Sequence, residues 1–277
     1  MIARITGAAM RGILVALLVA TPSLLLPSYT SNATEMVALL ALIAGALTFA
    51  EYNTEFPSFV EFRDAPPLNR MRFIALFLMF FTLTIIAKHS YEPTALTGLV
   101  AGFGGMIGHL TDFPYSPVRL VLLILPADAS QSMIDNVRVA AGFSYTVALI
   151  TMIVFLFQVR VRGWPTSRGA FNVWVNLPLF DPTAGGDVVH RLQRDARINV
   201  VLGFLLPFII PALVKLAADL IDPISMNDPQ TVIWTMSAWA FLPASMVMRG
   251  IAMGRIAELI EEKRRRVYAN AEAMQTA

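Results

Sequence analysis

The 277-residue chain has no cysteine and few charges. Without cysteine it has no disulfide, no thiolate metal site and no thiol nucleophile. Asp, Glu, Lys and Arg make up 14% of the residues, whereas about a quarter is usual in soluble domains. Because 56% of the residues are hydrophobic, this shortage of charge indicates that lipid, rather than water, surrounds most of the chain.

Familiar catalytic motifs are also missing from the sequence. There is no Gly-x-Ser-x-Gly elbow, no His-Glu-x-x-His pair, no Gly-Lys-Ser/Thr phosphate loop and no paired-aspartate motif. We therefore predict no catalytic residue, no metal ligand set, no cofactor and no nucleic-acid partner. An enzyme acting on a lipid-soluble substrate remains a minor alternative.

The apolar residues are gathered in blocks close to the roughly 20 residues that span a bilayer. This pattern predicts an all-α, polytopic integral membrane bundle with about six transmembrane helices. The predicted helices cover residues 12 to 28, 36 to 50, 71 to 88, 138 to 159, 199 to 218 and 230 to 249.

The basic residues predict how the bundle is oriented. If both termini are cytoplasmic, 17 of the 21 Lys and Arg residues fall on the cytoplasmic side, as expected for basic residues that flank membrane helices. The basic pI is then explained by cytoplasmic loops. An arginine-rich pattern of this kind favours the bacterial inner (cytoplasmic) membrane as the location.

The stretch 94 to 126 is apolar but does not form a simple crossing. Because the loops on both of its sides must be extracytoplasmic, it contributes an even number of crossings. Its second half, 117 to 126, is too short to span at ~1.5 Å per residue. We predict a re-entrant or surface-lying hairpin closed by the turn at 111 to 117; eight crossings is the alternative.

Two further cytoplasmic segments are predicted. In 160 to 198, Asp187 is a plausible N-cap for an amphipathic helix lying on the membrane surface. The last crossing should continue as a cytoplasmic helix over 250 to 270, with Glu261–Arg265 and Glu262–Arg266 ion pairs. The basic residues expected to face lipid are Arg191, Arg194, Arg197, Arg264, Arg265 and Arg266.

A charged side chain within a membrane helix calls for an explanation. Lys215 lies late in the fifth crossing, and Asp219 follows at i+4, so the two form a candidate ion or proton relay. The alternative is that Lys215 extends to the lipid headgroups. His109 and Asp112 are further relay candidates, because one helical turn could bring them to the same side.

The glycines of the 94 to 110 stretch have spacings that suit close helix packing. Gly98 with Gly102, and Gly104 with Gly108, are small-xxx-small pairs that let helix backbones approach. We interpret them as packing positions; a pore or substrate lining is the alternative.

These features together favour a non-enzymatic accessory or scaffold subunit of a larger membrane complex. Its expected partners are membrane lipids and other integral membrane proteins. The alternative function is a small transporter or channel that uses Lys215, Asp219 and the 94 to 126 hairpin.

Overall fold

The computed structural model describes residues 2–27, 31–165, 171–181, 183, 185–217 and 226–275. Within these ranges the regular secondary structure is entirely α-helical. The helices are α1 (Ile2–Leu25), α2 (Ser31–Asn53), α3 (Leu68–Lys88), α4 (Ala95–Thr111), α5 (Pro117–Leu122), α6 (Gln131–Arg160), α7 (Val173–Asn176), α8 (Val188–Ala217) and α9 (Pro229–Gln275).

Six of the described helices are long and apolar enough to cross a membrane: α1, α2, α3, α6, α8 and α9. Each of the six predicted crossings overlaps a different one of them. The predicted fold class, an α-helical membrane bundle, is confirmed. The helices extend beyond the predicted ranges because charged residues at their ends, such as Arg4 and Arg11, continue the helix outside the apolar block.

The amphipathic helix predicted before the fifth crossing is continuous with that crossing, and its place at the membrane surface remains a prediction. Its residues and the crossing form one helix, α8, since the sequence from Val188 to Leu202 contains neither proline nor glycine. Its apolar residues Val189, Leu192 and Ala196 are buried in a core shared with α9, so this face lies on protein instead of lipid. Asp187 does cap the helix, accepting a hydrogen bond from the Val189 amide at 3.4 Å.

The last crossing continues without a break into the C-terminal segment, because α9 is a single helix of 47 residues. The two predicted ion pairs are present. Glu261 contacts Arg265 at 2.5 Å and Glu262 contacts Arg266 at 4.0 Å. The segment 250 to 270 is thus helical, while its cytoplasmic location remains a prediction.

Two buried clusters hold the bundle together. One lies at the end that carries residues 51–72, 173–198 and 249–275, which we call the basic end. The other fills the middle and the opposite end, with buried residues from α3, α5, α6 and α9. Among the described helices, three pairs come into backbone contact through glycines: α1 with α2 at Gly12 and Gly45, α4 with α6 at Gly108 and Gly142, and α8 with α9 at Gly203 and Gly250.

The 94 to 126 stretch forms two helices, both packed against α6. α4 has only 17 residues, and its C-terminal end reaches Gly142, roughly 16 Å along α6 at ~1.5 Å per residue. α5 turns back and also contacts α8. Whether this hairpin re-enters or lies at the surface remains a prediction, as does the orientation of the bundle.

Candidate functional site

Lys215 lies in the last turn of α8, and its side chain is exposed. Asp219, its predicted partner, lies outside the described residues. The walls of the three cavities described below do not include Lys215 or His109. The relay of Lys215 with Asp219 therefore remains a prediction.

His109 and Asp112 are placed in different surroundings. His109 is exposed, whereas the Asp112 side chain is 6% exposed. Asp112 forms ion pairs with Arg119 at 2.6 Å and with Arg138 at 2.9 Å, so it ties the α4–α5 turn to α6. Sequence reasoning did not pair Arg138 with Asp112, because the two residues are distant in the chain. The signal that could have found the pair is that Arg138 lies apart from the other basic residues and therefore needs a counterion.

Two of the α4 glycines are enclosed against neighbouring helices. A β-carbon added at Gly104 would lie 2.6 Å from the Ile86 Cδ1 atom, and one added at Gly108 would lie 3.0 Å from the Val139 Cα atom. Gly142 of α6 faces Gly108 in turn, since its added β-carbon would lie 2.7 Å from the Gly108 Cα atom. We call Gly104 and Gly108 the closed face of α4.

The remaining glycines point away from the bundle. A β-carbon added at Gly102 or Gly105 meets no atom within 4 Å, and at Gly98 it meets only the His89 ring, at 3.4 Å. With His109, these residues recur every three or four positions and so share one helix face. We call Gly98, Gly102, Gly105 and His109 the open face of α4.

The open face is a groove with large apolar side chains along one edge. Leu99 is 74% exposed and Met106 is 53% exposed. On the Leu99 side lies an apolar cavity of about 360 Å³ between α3, α4 and α6. Its walls are formed by Phe81, Thr82, Ile85, Leu99, Val100, Phe103 and Phe143.

At the basic end, a buried ion pair joins the loop before α3 to α9. Arg249 donates two hydrogen bonds to the Glu61 carboxylate, at 2.5 and 2.7 Å, and the Glu61 side chain is 6% exposed. Arg72 lies nearby and donates to the Ser245 carbonyl at 3.1 Å. No local sequence pattern predicts this pair, because Glu61 and Arg249 are 188 positions apart.

The arginines predicted to face lipid are largely engaged within the chain. Arg191 donates to the Asp181 carbonyl at 2.7 Å, and Arg264 pairs with Asp187 at 2.7 Å. This hydrogen bond from Arg264 lowers the pKa of the Asp187 carboxyl below its ordinary value. Three of the other arginines also contact carboxylates: Arg194 contacts Asp195, Arg265 contacts Glu261, and Arg266 contacts Glu262. Arg197 is exposed.

A second cavity, of about 160 Å³, lies at the opposite end between α3, α6 and α9. Ser90, Tyr91, Asn136 and Asn227 supply its polar wall. Among the described residues, no group of three or more His, Asp or Glu side chains is placed to hold a metal ion.

The fold and these sites define the class of the molecule: a polytopic α-helical membrane protein. No protein family, curated protein or solved structure matches the chain.

Proposed function

We propose that this protein is a non-enzymatic accessory subunit of a larger membrane complex, and that a helix of another membrane protein packs on the open face of α4. The observation that carries the proposal is the empty space above Gly102 and Gly105. Small residues at a membrane-helix surface let a second backbone approach closely.

The energetics of α4 support a use for these glycines. Glycine in a helix interior is about 1 kcal/mol less favourable than alanine. At Gly104 and Gly108 this cost is offset by close packing against α3 and α6. At Gly102 and Gly105 the described chain provides no such contact, and a bilayer needs no groove there. A partner helix supplies the missing contact.

The flanking side chains suit the same partner. Leu99 and Met106 are exposed and lie seven positions apart, so they share one edge of the open face and can pack along one side of an incoming helix. The adjacent apolar cavity can receive one large side chain from it. His109 lies on the same face, toward the C-terminal end of α4, and can form a hydrogen bond with a polar group of the partner.

The transporter alternative is less well supported. It rests on Lys215 and Asp219, and Lys215 is exposed near the end of α8. The α4–α5 turn is held by the Asp112 ion pairs, which suits a fixed element better than a moving gate. We expect no substrate pathway at Lys215.

The test is purification of the full chain from its native membranes in a mild detergent, with mass spectrometry of the co-purifying proteins. We expect one stoichiometric membrane-protein partner with the wild type and its loss with Gly102→Leu. Ala46→Leu is the matched control, because Ala46 is an exposed small residue on α2. This control should retain the partner.

Two outcomes would contradict the proposal. One is a wild-type protein that purifies alone or only with further copies of itself. The other is a partner that survives Gly102→Leu as well as it survives Ala46→Leu. After either result, transport assays on Lys215→Ala would test the transporter alternative.

A further inference from the structure

A cleft of about 620 Å³ opens between the basic-end parts of α1, α2 and α3. Its volume is within the range of ~300 to 1,000 Å³ that small-molecule sites occupy. The polar part of its wall contains the arginines Arg11, Arg63 and Arg70, together with Tyr52 and Asn69.

Part of the apolar wall lies deeper in the bundle than the arginines. On α1, Leu14 follows Arg11 by three positions; on α3, Phe73 follows Arg70 by the same spacing. Each apolar residue is therefore about one helical turn, ~5 Å, farther from the basic end than its arginine. The cleft thus changes from cationic to apolar along the direction in which a lipid lies in a bilayer.

Of the three arginines in the cleft, only Arg63 has a carboxylate partner among the described residues, Asp64 at 3.4 Å. Arg70 is exposed and forms no hydrogen bond or ion pair with the described residues. Arg11 donates to a backbone carbonyl of its own helix and stacks 4.7 Å from the centre of the Tyr52 ring. The nearby Glu51 carboxylate is already occupied, since it accepts hydrogen bonds from the backbone amides of residues 58 to 60.

Arg63 fixes the geometry of this site. Its side chain is only 9% exposed, and it donates to the carbonyls of Glu51 and Thr54 at 2.8 Å each. The loop between α2 and α3 is thereby held against the end of α2. Arg70 and Arg11 remain available on this rigid support to bind an anion.

We propose that this cleft binds an anionic phospholipid of the leaflet at the basic end. The phosphate would contact Arg11 and Arg70, and the upper part of an acyl chain would lie along Leu14, Phe73 and Ile74. This inference does not depend on the proposed partner at α4, which lies at a different part of the bundle.

The test uses the full chain, purified in detergent, depleted of lipid and titrated with lipid in native mass spectrometry. We expect phosphatidylglycerol to bind at least about tenfold more tightly than phosphatidylcholine. Arg11→Gln and Arg70→Gln should each weaken phosphatidylglycerol binding by about tenfold, as expected for one charge-assisted hydrogen bond. Arg197→Gln, at an exposed arginine outside the cleft, is the matched control and should bind normally.

A second variant separates a lipid from a soluble phosphate ester. Ile74 is exposed on the apolar wall, so Ile74→Trp should fill the acyl-chain part without disturbing the core. We expect this variant to lose phosphatidylglycerol while both arginines remain in place.

Three results would overturn the proposal. Phosphatidylcholine could bind as tightly as phosphatidylglycerol, or Arg70→Gln could behave like Arg197→Gln. Inorganic phosphate could also bind as tightly as phosphatidylglycerol and be unaffected by Ile74→Trp, which would assign the site to a soluble anion.

Discussion

The two faces of α4 carry the same residue type in opposite surroundings. On the closed face, β-carbons at Gly104 and Gly108 would lie within 3.0 Å of atoms on α3 or α6; on the open face, Gly102 and Gly105 have no atom within 4 Å of that position. Glycine on the closed face is explained by the packing of the chain itself. On the open face, no described residue packs on Gly102 or Gly105, and this observation is the basis of the proposed subunit function.

Close glycine contacts elsewhere in the bundle strengthen this comparison. A β-carbon at Gly203 would lie 2.6 Å from the Pro243 carbonyl oxygen, and one at Gly250 would lie 2.6 Å from the Ala196 carbonyl oxygen. Gly12 and Gly45 approach each other in the same way. Membrane-helix glycines in this protein thus commonly mark places where two helix backbones meet.

The largest effect on stability should come from a variant that touches neither face of α4. Glu61→Gln leaves Arg249 and Arg72 without the buried carboxylate between α9 and the loop before α3. Removing one partner of a buried ion pair is destabilising by about 3 to 5 kcal/mol. The free energy of unfolding in detergent measures this loss, and the folded fraction should still retain the partner. If the folded Glu61→Gln protein lost the partner, this would contradict the proposal that the partner binds at α4.

A smaller but clear loss is expected on the closed face. In Gly108→Leu, the new side chain meets the backbone of α6 at Val139 and Arg138, which cannot move aside as a side-chain tip can. Overpacking of this kind is destabilising by about 1 to 3 kcal/mol. Equilibrium unfolding, with Gly102→Leu measured in parallel, checks the difference. Equal destabilisation of the two variants would contradict the distinction between the faces.

On the open face, a conservative substitution should be neutral or slightly stabilising. Gly105→Ala adds a methyl group where there is space and improves helix propensity by up to about 1 kcal/mol. The unfolding free energy should therefore stay level or rise, while partner retention falls. A destabilised Gly105→Ala protein would mean that this face packs within the chain.

The smallest effect should be a pH dependence at the basic end, far from α4. Because the hydrogen bond from Arg264 lowers the pKa of Asp187, the pair stabilises the contact of α8 with α9 above the ordinary carboxyl pKa. This contribution is lost as the pH falls through the lowered value. Faster hydrogen exchange at the start of α8 in acid, absent in Asp187→Asn, would agree. An acid response that persists in Asp187→Asn would assign it to another group.

Much of this fold was predictable, because a bilayer leaves few choices. The six apolar blocks identified six long helices, and the i,i+4 charges of the C-terminal helix pair as expected. Helix boundaries were less predictable, because charged residues do not by themselves end a helix. Arg191 and Arg194 suggested a separate surface helix, yet nothing in the backbone interrupts α8 there.

The sites were less predictable, because they depend on which helices become neighbours. Small-xxx-small spacing marked both Gly98 with Gly102 and Gly104 with Gly108, but spacing alone does not say which pair faces the bundle. The same limit applies to Glu61 with Arg249, and to the cleft formed where Arg11 of α1 meets Arg70 of α3. Such contacts join distant parts of the chain and leave no local pattern.

The most direct test of the open face uses the absence of cysteine, because any single cysteine introduced into the chain is unique. Gly105→Cys, labelled with a short photo-crosslinker in native membranes, should give one adduct with a membrane protein of defined mass. The matched Ala46→Cys variant on α2 should not. Identical adducts from the two positions, or adducts with lipid alone from Gly105→Cys, would contradict the account.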